Sequence, residues 1–140
     1  MCLHFINSDK IQNKIKDTIP EDSLKVYKVV EIKDGKYHPV FQHTGVPFEK
    51  GMNEAKTYSP VVPFQGGVYQ AGFHFWLTKK TAKECRIFLS KKMLSKFAII
   101  ECEIKKEWIT TIGTNAIHCF LTRRTIVTDR AIFPAFKEKD

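Results

Sequence analysis

The fold is decided by residues 66–78, which read GGVYQAGFHFWLT and are followed by a run of lysines. Three glycines, one histidine and four aromatic residues fall within eleven positions of this stretch. A glycine pair adopts backbone angles that other residues avoid, and a glycine before an aromatic strand lets another segment approach closely. We therefore predict a shaped corner, in which a strand of the sheet turns into a helix.

The strand in this corner has two chemically different sides, because alternate residues of a strand point in opposite directions. Phe73, Phe75 and Leu77 lie on one side, which we assign to the core. His74 and Trp76 lie on the other side. They are candidates for stacking on, or hydrogen bonding to, a planar anionic ligand. The alternative is that His74 is a structural histidine whose hydrogen bonds are satisfied within the protein.

Two helices are predicted from apolar residues that recur at helical spacing. The principal helix covers about residues 78–93, with Thr78 as its N-cap, and its outer face is rich in lysine. A shorter amphipathic helix covers about residues 8–19, where isoleucines recur every four positions and Pro20 follows the end. Its lysines are either a solvated surface or one edge of an anion-binding face.

The remaining segments are mostly β-rich. A hairpin is predicted from residues 24–32, an Asp34-Gly35 turn and a short returning strand. Further strands are predicted at 96–104, at 108–112 with an end at Gly113, and as two strands in 116–133. Residues 43–65 form a long ordered crossing segment. The pattern predicts a single α+β domain, residues 1–140, with a mainly antiparallel twisted sheet packed by one principal helix.

Composition limits the class of partner. The chain has 140 residues, a net charge of +8 and a pI near 9.4, which favours nucleic acid, nucleotides or an acidic protein surface. No apolar run is long enough to span a membrane, and the first residues do not resemble a signal peptide, so we expect a cytoplasmic protein. The four cysteines are widely spaced and contain no CxxC pair, which argues against a zinc site and against a disulfide-rich fold.

Aromatic and cationic residues together indicate ligand binding, since every nucleobase offers a π-face and every phosphate accepts hydrogen bonds from arginine. The predicted ligand contacts are His74, Trp76, Lys28, Arg123, Arg124 and Arg130. Arg123 and Arg124 are adjacent, so at most one of them can join a given site. Glu101 and Glu103 share a face and are either an acid–base or metal pair, or ion-pair partners of a neighbouring strand. We predict no catalytic set, no metal site and no cofactor.

The order of short motifs resembles a loose group of small proteins from bacteriophages and mobile elements. The matching segments are VYKVV at 26–30, Asp34-Gly35, GFHF at 72–75 with Ala82 in a helix, and IIECEI at 99–104. The resemblance covers roughly residues 24–133 and supplies no site residues. It implies a phage-type inhibitor in the cytosol of the host cell. Such an inhibitor would block a host nuclease complex or sequester a nucleotide signal.

The layout is also similar to compact ADP-ribosyltransferases, a family of NAD-dependent enzymes. On that mapping Tyr27 and Lys28 form the first motif, and Thr78 supplies the hydroxyl near the second. The available glutamates, Glu101 and Glu103, follow the predicted helix directly instead of opening a late strand. This resemblance implies NAD as a cofactor.

Three functions therefore remain open from the sequence. The preferred one is a non-enzymatic binding protein that captures an anionic partner, either a nucleotide or a complex containing nucleic acid. The second is an NAD-dependent transferase. The third is a protein-only inhibitor that docks on an acidic host surface. A homo-oligomer is compatible with each of them.

Overall fold

A computed structural model describes residues 3, 5–40, 47–55, 60–61, 69–70, 72–118 and 121–137. Two α-helices occur in these residues, α1 (Asp9–Asp17) and α2 (Lys79–Lys92), with a short 3-10 helix at Lys106–Trp108. The strands are β1 (Phe5–Ile6), β2 (Ser23–Lys33), β3 (Lys36–His38), β4 (Gly51–Glu54), β5 (Pro60–Val61), β6 (Tyr69–Gln70), β7 (Phe73–Trp76), β8 (Lys96–Lys105), β9 (Ile109–His118), β10 (Leu121–Thr128) and β11 (Arg130–Phe133). The predicted α+β class, with a mainly antiparallel sheet, a principal helix and a short N-terminal helix, is confirmed.

Nine of the strands form one antiparallel sheet. Eight lie in the order β1-β9-β10-β7-β2-β8-β11-β4, β3 pairs with β2, and β5 and β6 form a separate two-stranded ribbon. The longest ladder joins β2 to β8, from Ser23 opposite Lys105 at one end to Ile32 opposite Lys96 at the other. In contrast, β2 and β7 are paired only at Tyr27 and Trp76. The ladder between the two strands does not extend beyond this pair, and a gap lies beside it in the sheet.

Helix α2 covers one face of the sheet, which we call the helix side. It begins after Thr78, whose hydroxyl accepts a hydrogen bond of 3.2 Å from the Thr81 amide, as expected of an N-cap. Its apolar stripe is buried against the sheet at Ala82, Cys85 and Leu89. Sheet residues in the same cluster are Val29, Trp76, Phe97 and Ile117.

The opposite face, which we call the aromatic side, carries the larger core cluster. Phe75 and Phe133 are buried there, and Phe48 and Phe73 pack against them. Residues Ile15 and Ile19, at and beyond the end of α1, cover part of this face. Phe73 and Phe75 therefore lie in the core, as the alternation of β7 predicts. The side that holds Trp76 is also core, because α2 covers it and leaves the Trp76 side chain only 4% exposed.

Glycines permit two close approaches between strands. A Cβ at Gly72 would run into the Thr128 carbonyl oxygen, so the glycine before the aromatic strand does admit a neighbouring backbone. A Cβ at Gly113 would run into the Phe5 carbonyl oxygen. The prediction that Gly113 ends a strand is wrong, since β9 continues through it to His118 and β1 docks against it. Residues 116–118 thus complete β9, and the later stretch breaks at Asp129 as expected.

The crossing segment is described at 47–55 and 60–61 only, and the rest of 43–65 lies outside the described residues. Strand β4 belongs to this segment and pairs with β11 at one edge of the sheet. Phe48 stacks on Phe133 with a centroid distance of 4.3 Å. The pair Gly66-Gly67 also lies outside the described residues. In the described part of the chain, neither helix has the length and apolar character needed to cross a membrane.

Candidate functional site

The gap between β2 and β7 brings three of the predicted ligand contacts together. Lys28 lines it from β2, while His74 and Trp76 line it from β7, with Asn115 and Thr125 on the neighbouring strands. The cavity has a volume of about 20 Å³. This is room for about one water molecule, so a nucleotide does not fit in the gap as it is folded here.

The Lys28 ammonium occupies this gap within an aromatic environment. Its Nζ donates a hydrogen bond of 3.0 Å to the His74 carbonyl oxygen. The same nitrogen lies 5.5 Å from the centroid of Phe75 and 5.8 Å from that of Phe48. None of the ion pairs between described residues involves Lys28. Loss of hydration lowers its pKa from 10.5 to about 8.

His74 is held as a neutral residue. Its Nδ1 lies 3.0 Å from the Gly72 carbonyl oxygen, which can only accept, so Nδ1 carries the proton. Burial and, secondly, the nearby Lys28 charge lower the pKa of His74 to about 3. A neutral imidazole adds no positive charge at physiological pH, and this geometry favours a structural role for His74.

Two buried cysteines lie near Lys28, Cys85 in the core on the helix side and Cys102 in the core on the aromatic side. Burial raises the pKa of the Cys85 thiol to about 11, and a hydrogen bond with Trp76 opposes this only in part. Burial likewise raises the pKa of Cys102 to about 12. Both cysteines are free and protonated at neutral pH, which makes them unreactive core groups and not nucleophiles.

The three predicted arginines lie in three different environments. Arg123 forms an ion pair of 3.3 Å with Glu84 of α2, and Arg124 is exposed and points from the other face of β10. Arg130 lies on β11, where its Nε is 3.5 Å from a carboxylate oxygen of Asp129. None of these three described residues lines the gap with Lys28 and His74.

The paired glutamates are exposed, and one of them has a cationic partner from the next strand. Lys25 Nζ lies 3.8 Å from Glu101, which is the ion-pair alternative that the sequence left open. Tyr27 donates a hydrogen bond of 3.2 Å to the same carboxylate. Burial first, and then the Glu101 charge, raise the pKa of this tyrosine. Among the described residues no three His, Cys, Asp or Glu side chains are grouped to hold a metal ion.

The residues of the transferase mapping are also separated. Lys28 lies on the opposite face of β2 from Tyr27, since adjacent strand residues alternate. The Thr78 hydroxyl is used as the N-cap of α2.

A cluster of lysines forms where the β2–β3 hairpin ends. Asp34 and Gly35 both have positive φ values, 53° and 69°, as in the tight turns that join two strands directly. This turn places Lys33 opposite Lys36, and the β2–β8 register places Ile32 opposite Lys96. We call Lys33, Lys36 and Lys96 the lysine end of the sheet. All three are exposed, and the ion pairs between described residues involve none of them.

An open groove adjoins the lysine end through Lys36. Its volume is about 240 Å³, some twelve times that of the gap. Three separate segments line it: Lys36 and Tyr37, then Pro47, Phe48, Glu49 and Lys50, then Pro134 and Phe136. Sequence reasoning missed this groove because its walls are distant in the chain. The available signal was the recurrence of an aromatic residue beside lysine in two of the segments.

The walls of the groove are held in place by hydrogen bonds that involve the backbone. The Phe48 amide donates to the Tyr37 carbonyl at 2.8 Å, and the Lys137 amide donates to the Tyr37 hydroxyl at 3.1 Å. The Tyr37 and Phe136 rings are in contact, with centroids 5.1 Å apart. Asn53 donates to the Glu49 carbonyl at 2.7 Å and holds the turn that carries Glu49 and Lys50. The groove is therefore a built feature of the fold.

Comparisons with protein families, with curated proteins and with solved structures find no match to this chain.

Proposed function

We propose that this chain is a non-enzymatic binding protein that captures an anionic partner, a nucleic acid or a nucleotide, through the lysine end of its sheet. The observation that carries the proposal is the cross-strand pairing of Lys33 with Lys36. Like charges directly opposite each other destabilise a sheet. A phosphate placed between them converts this repulsion into attraction.

The surroundings of this pair support an anionic partner. Lys91 and Lys92 end α2 only a few residues before Lys96, so further cations adjoin the same end of β8. The chain as a whole carries a net charge of +8. Lysines clustered on one part of a surface are the electrostatic footprint of a protein that binds phosphates.

The proposed binding surface is the lysine end and not the gap in the sheet. Lys28, His74 and Trp76 line a space for about one water molecule, whereas the lysine end is open to solvent. In the phage-type context that the sequence resembles, the anionic partner would be a host nucleotide signal or a nuclease complex that contains nucleic acid.

The test is fluorescence anisotropy with labelled single-stranded and duplex oligonucleotides across a range of salt concentrations. The wild-type protein should bind most tightly at low salt, and the logarithm of its affinity should fall linearly with the logarithm of the salt concentration. A Lys33→Gln, Lys96→Gln double variant should lower the affinity. Its salt slope on a single strand should be smaller by about 1.4, the value for two lost phosphate contacts.

A matched control is Lys10→Gln, Lys14→Gln, which removes the same charge from α1. These exposed lysines lie on α1, and Ile19, two residues past its end, accepts a hydrogen bond from Lys106 at the opposite end of the β2–β8 ladder. An equal loss in both variants would mean that only net charge matters, and the lysine end would lose its role. Absence of any binding at low salt would contradict the proposal. Capture of an acidic protein that survives nuclease treatment would point to protein-only inhibition.

A further inference from the structure

We infer that the groove beside the lysine end binds one nucleobase of the anionic ligand, with the adjoining phosphate on Lys36 or Lys50. This inference rests on the proposed function and adds to it the part of the ligand that is recognised. The groove is not among the ligand contacts predicted from the sequence. Its three lining segments are brought together by the pairing of β2 with β3, by the bridge between Tyr37 and Phe48, and by the path of the chain after β11.

The apolar part of the groove suits a flat aromatic ring. The Phe136 ring remains 36% exposed while it contacts Tyr37, so a face or edge of it is open to a ligand. Phe48 contributes a second ring to the lining, and it is fixed from below by its stack on Phe133. Bases stack on aromatic side chains irrespective of sequence, because each base has a π-face.

The polar part of the groove distinguishes a nucleotide from a plain apolar ligand. Lys36 and Lys50 supply exposed ammonium groups, which match a phosphate. Glu49 is the carboxylate that lines the groove with them, and a carboxylate accepts hydrogen bonds from the exocyclic amino group of a base. An apolar peptide would leave all three charges without partners.

Size sets how much of the ligand enters. Pockets that enclose a whole drug-sized molecule begin at about 300 Å³. At about 240 Å³ the groove accepts one base while the backbone of the ligand stays on the lysine end. An unpaired base beside a phosphate is present both in a single strand and in a free mononucleotide. In a duplex it is present only at frayed ends.

The experiment compares a single-stranded oligonucleotide with an abasic strand of the same length and charge. Wild-type protein should bind the strand with bases about 5- to 150-fold more tightly, the range for one base stacked on an aromatic side chain. Phe136→Ala should remove this preference and leave the affinity for the abasic strand unchanged. Circular dichroism should show that this variant, near the C-terminal end of the described chain, keeps its fold. Lys50→Gln provides a second variant, and it should lower the affinity of the protein for both strands.

The outcomes separate this inference from the proposed function. Equal affinity of the wild-type protein for both strands overturns the base-binding groove and leaves phosphate capture intact. Failure of both strands to bind overturns the proposed function itself. A preference for bases that survives in Phe136→Ala places the base elsewhere and also overturns the inference. If a mononucleotide competes with the strand for wild-type protein but not for Phe136→Ala, the groove binds a base and a free nucleotide can be its ligand.

Discussion

Lys28 places a positive charge among aromatic rings, at a point where the sheet is interrupted. The side chain donates a hydrogen bond to the His74 carbonyl oxygen. Two aromatic faces add cation–π attraction, which is strengthened by the loss of surrounding water. The lowered pKa shows that these contacts do not fully replace hydration.

The pH dependence of stability should therefore identify Lys28. Its folded pKa of about 8 lies below the unfolded value of 10.5, so its charge destabilises the fold fully below pH 8 and ceases to do so above pH 10.5. Between pH 7 and pH 10, wild-type protein should gain about 2 kcal/mol relative to Lys28→Met. Urea unfolding of both proteins at the two pH values measures this. Lys10→Met, which changes an exposed lysine, should show no such drift; an equal drift in both variants would contradict the assignment.

Gly72 is the residue that lets β7 lie against β10. Because an added Cβ would meet the Thr128 backbone, which cannot move without breaking the ladder, Gly72→Ala should lower the free energy of unfolding by about 1 to 3 kcal/mol. Chemical denaturation checks the loss, and amide exchange in β10 should rise with it. An alanine variant as stable as wild type would mean that the strands can separate at no cost.

At the scale of elements, most of the fold was predictable because local signals agree with it. The apolar stripe and Thr78 cap locate α2, and Asp34-Gly35 locates the hairpin turn. The predicted strand end at Gly113 was wrong because a glycine in a β-rich stretch indicates either a turn or a close approach of another backbone. Only the position of Phe5 decides between them. The burial of Trp76 could not be foreseen for a related reason, since it depends on where α2 packs.

The candidate site was less predictable than the elements. Alternation placed His74 and Trp76 on one side of a strand but could not show that α2 closes that side. The groove requires Tyr37, Phe48 and Phe136 to meet, and no local pattern links residues so far apart. The lysine end depends on the register of neighbouring strands. The Asp34-Gly35 turn sets this register for Lys33 and Lys36, but it does not set the pairing of β2 with β8 that brings Lys96 alongside them.

Helix α2 should depend on its N-cap. Thr78→Ala removes the oxygen that accepts from the Thr81 amide and should cost about 1 kcal/mol. Thr78→Ser keeps this oxygen, and its free energy of unfolding, measured by chemical denaturation, should be close to that of wild type. The Thr81 amide should exchange faster in the alanine variant alone. Equal losses in the serine and alanine variants would show that the threonine methyl group, and not the cap, supports the helix.

For the molecule as a whole, the sheet is shared by two cores, one on each face. Val29 of β2 belongs to the cluster on the helix side, while Val26 and Val30 of the same strand belong to the aromatic side. Neither cluster can lose its sheet residues without exposing the other. The two cores should therefore unfold together.

The two tryptophans of the chain allow this cooperativity to be measured, because Trp76 lies in the core on the helix side and Trp108 in the core on the aromatic side. Leu89→Ala removes a side chain that packs only on the helix side and should cost about 2 to 5 kcal/mol. In a Trp76→Phe background, the fluorescence of Trp108 during urea unfolding should report the full loss of stability. In a Trp108→Phe background, Trp76 should report the same shift in the urea midpoint. A shift seen by Trp76 alone would mean that the helix side unfolds by itself and that the sheet does not couple the two cores.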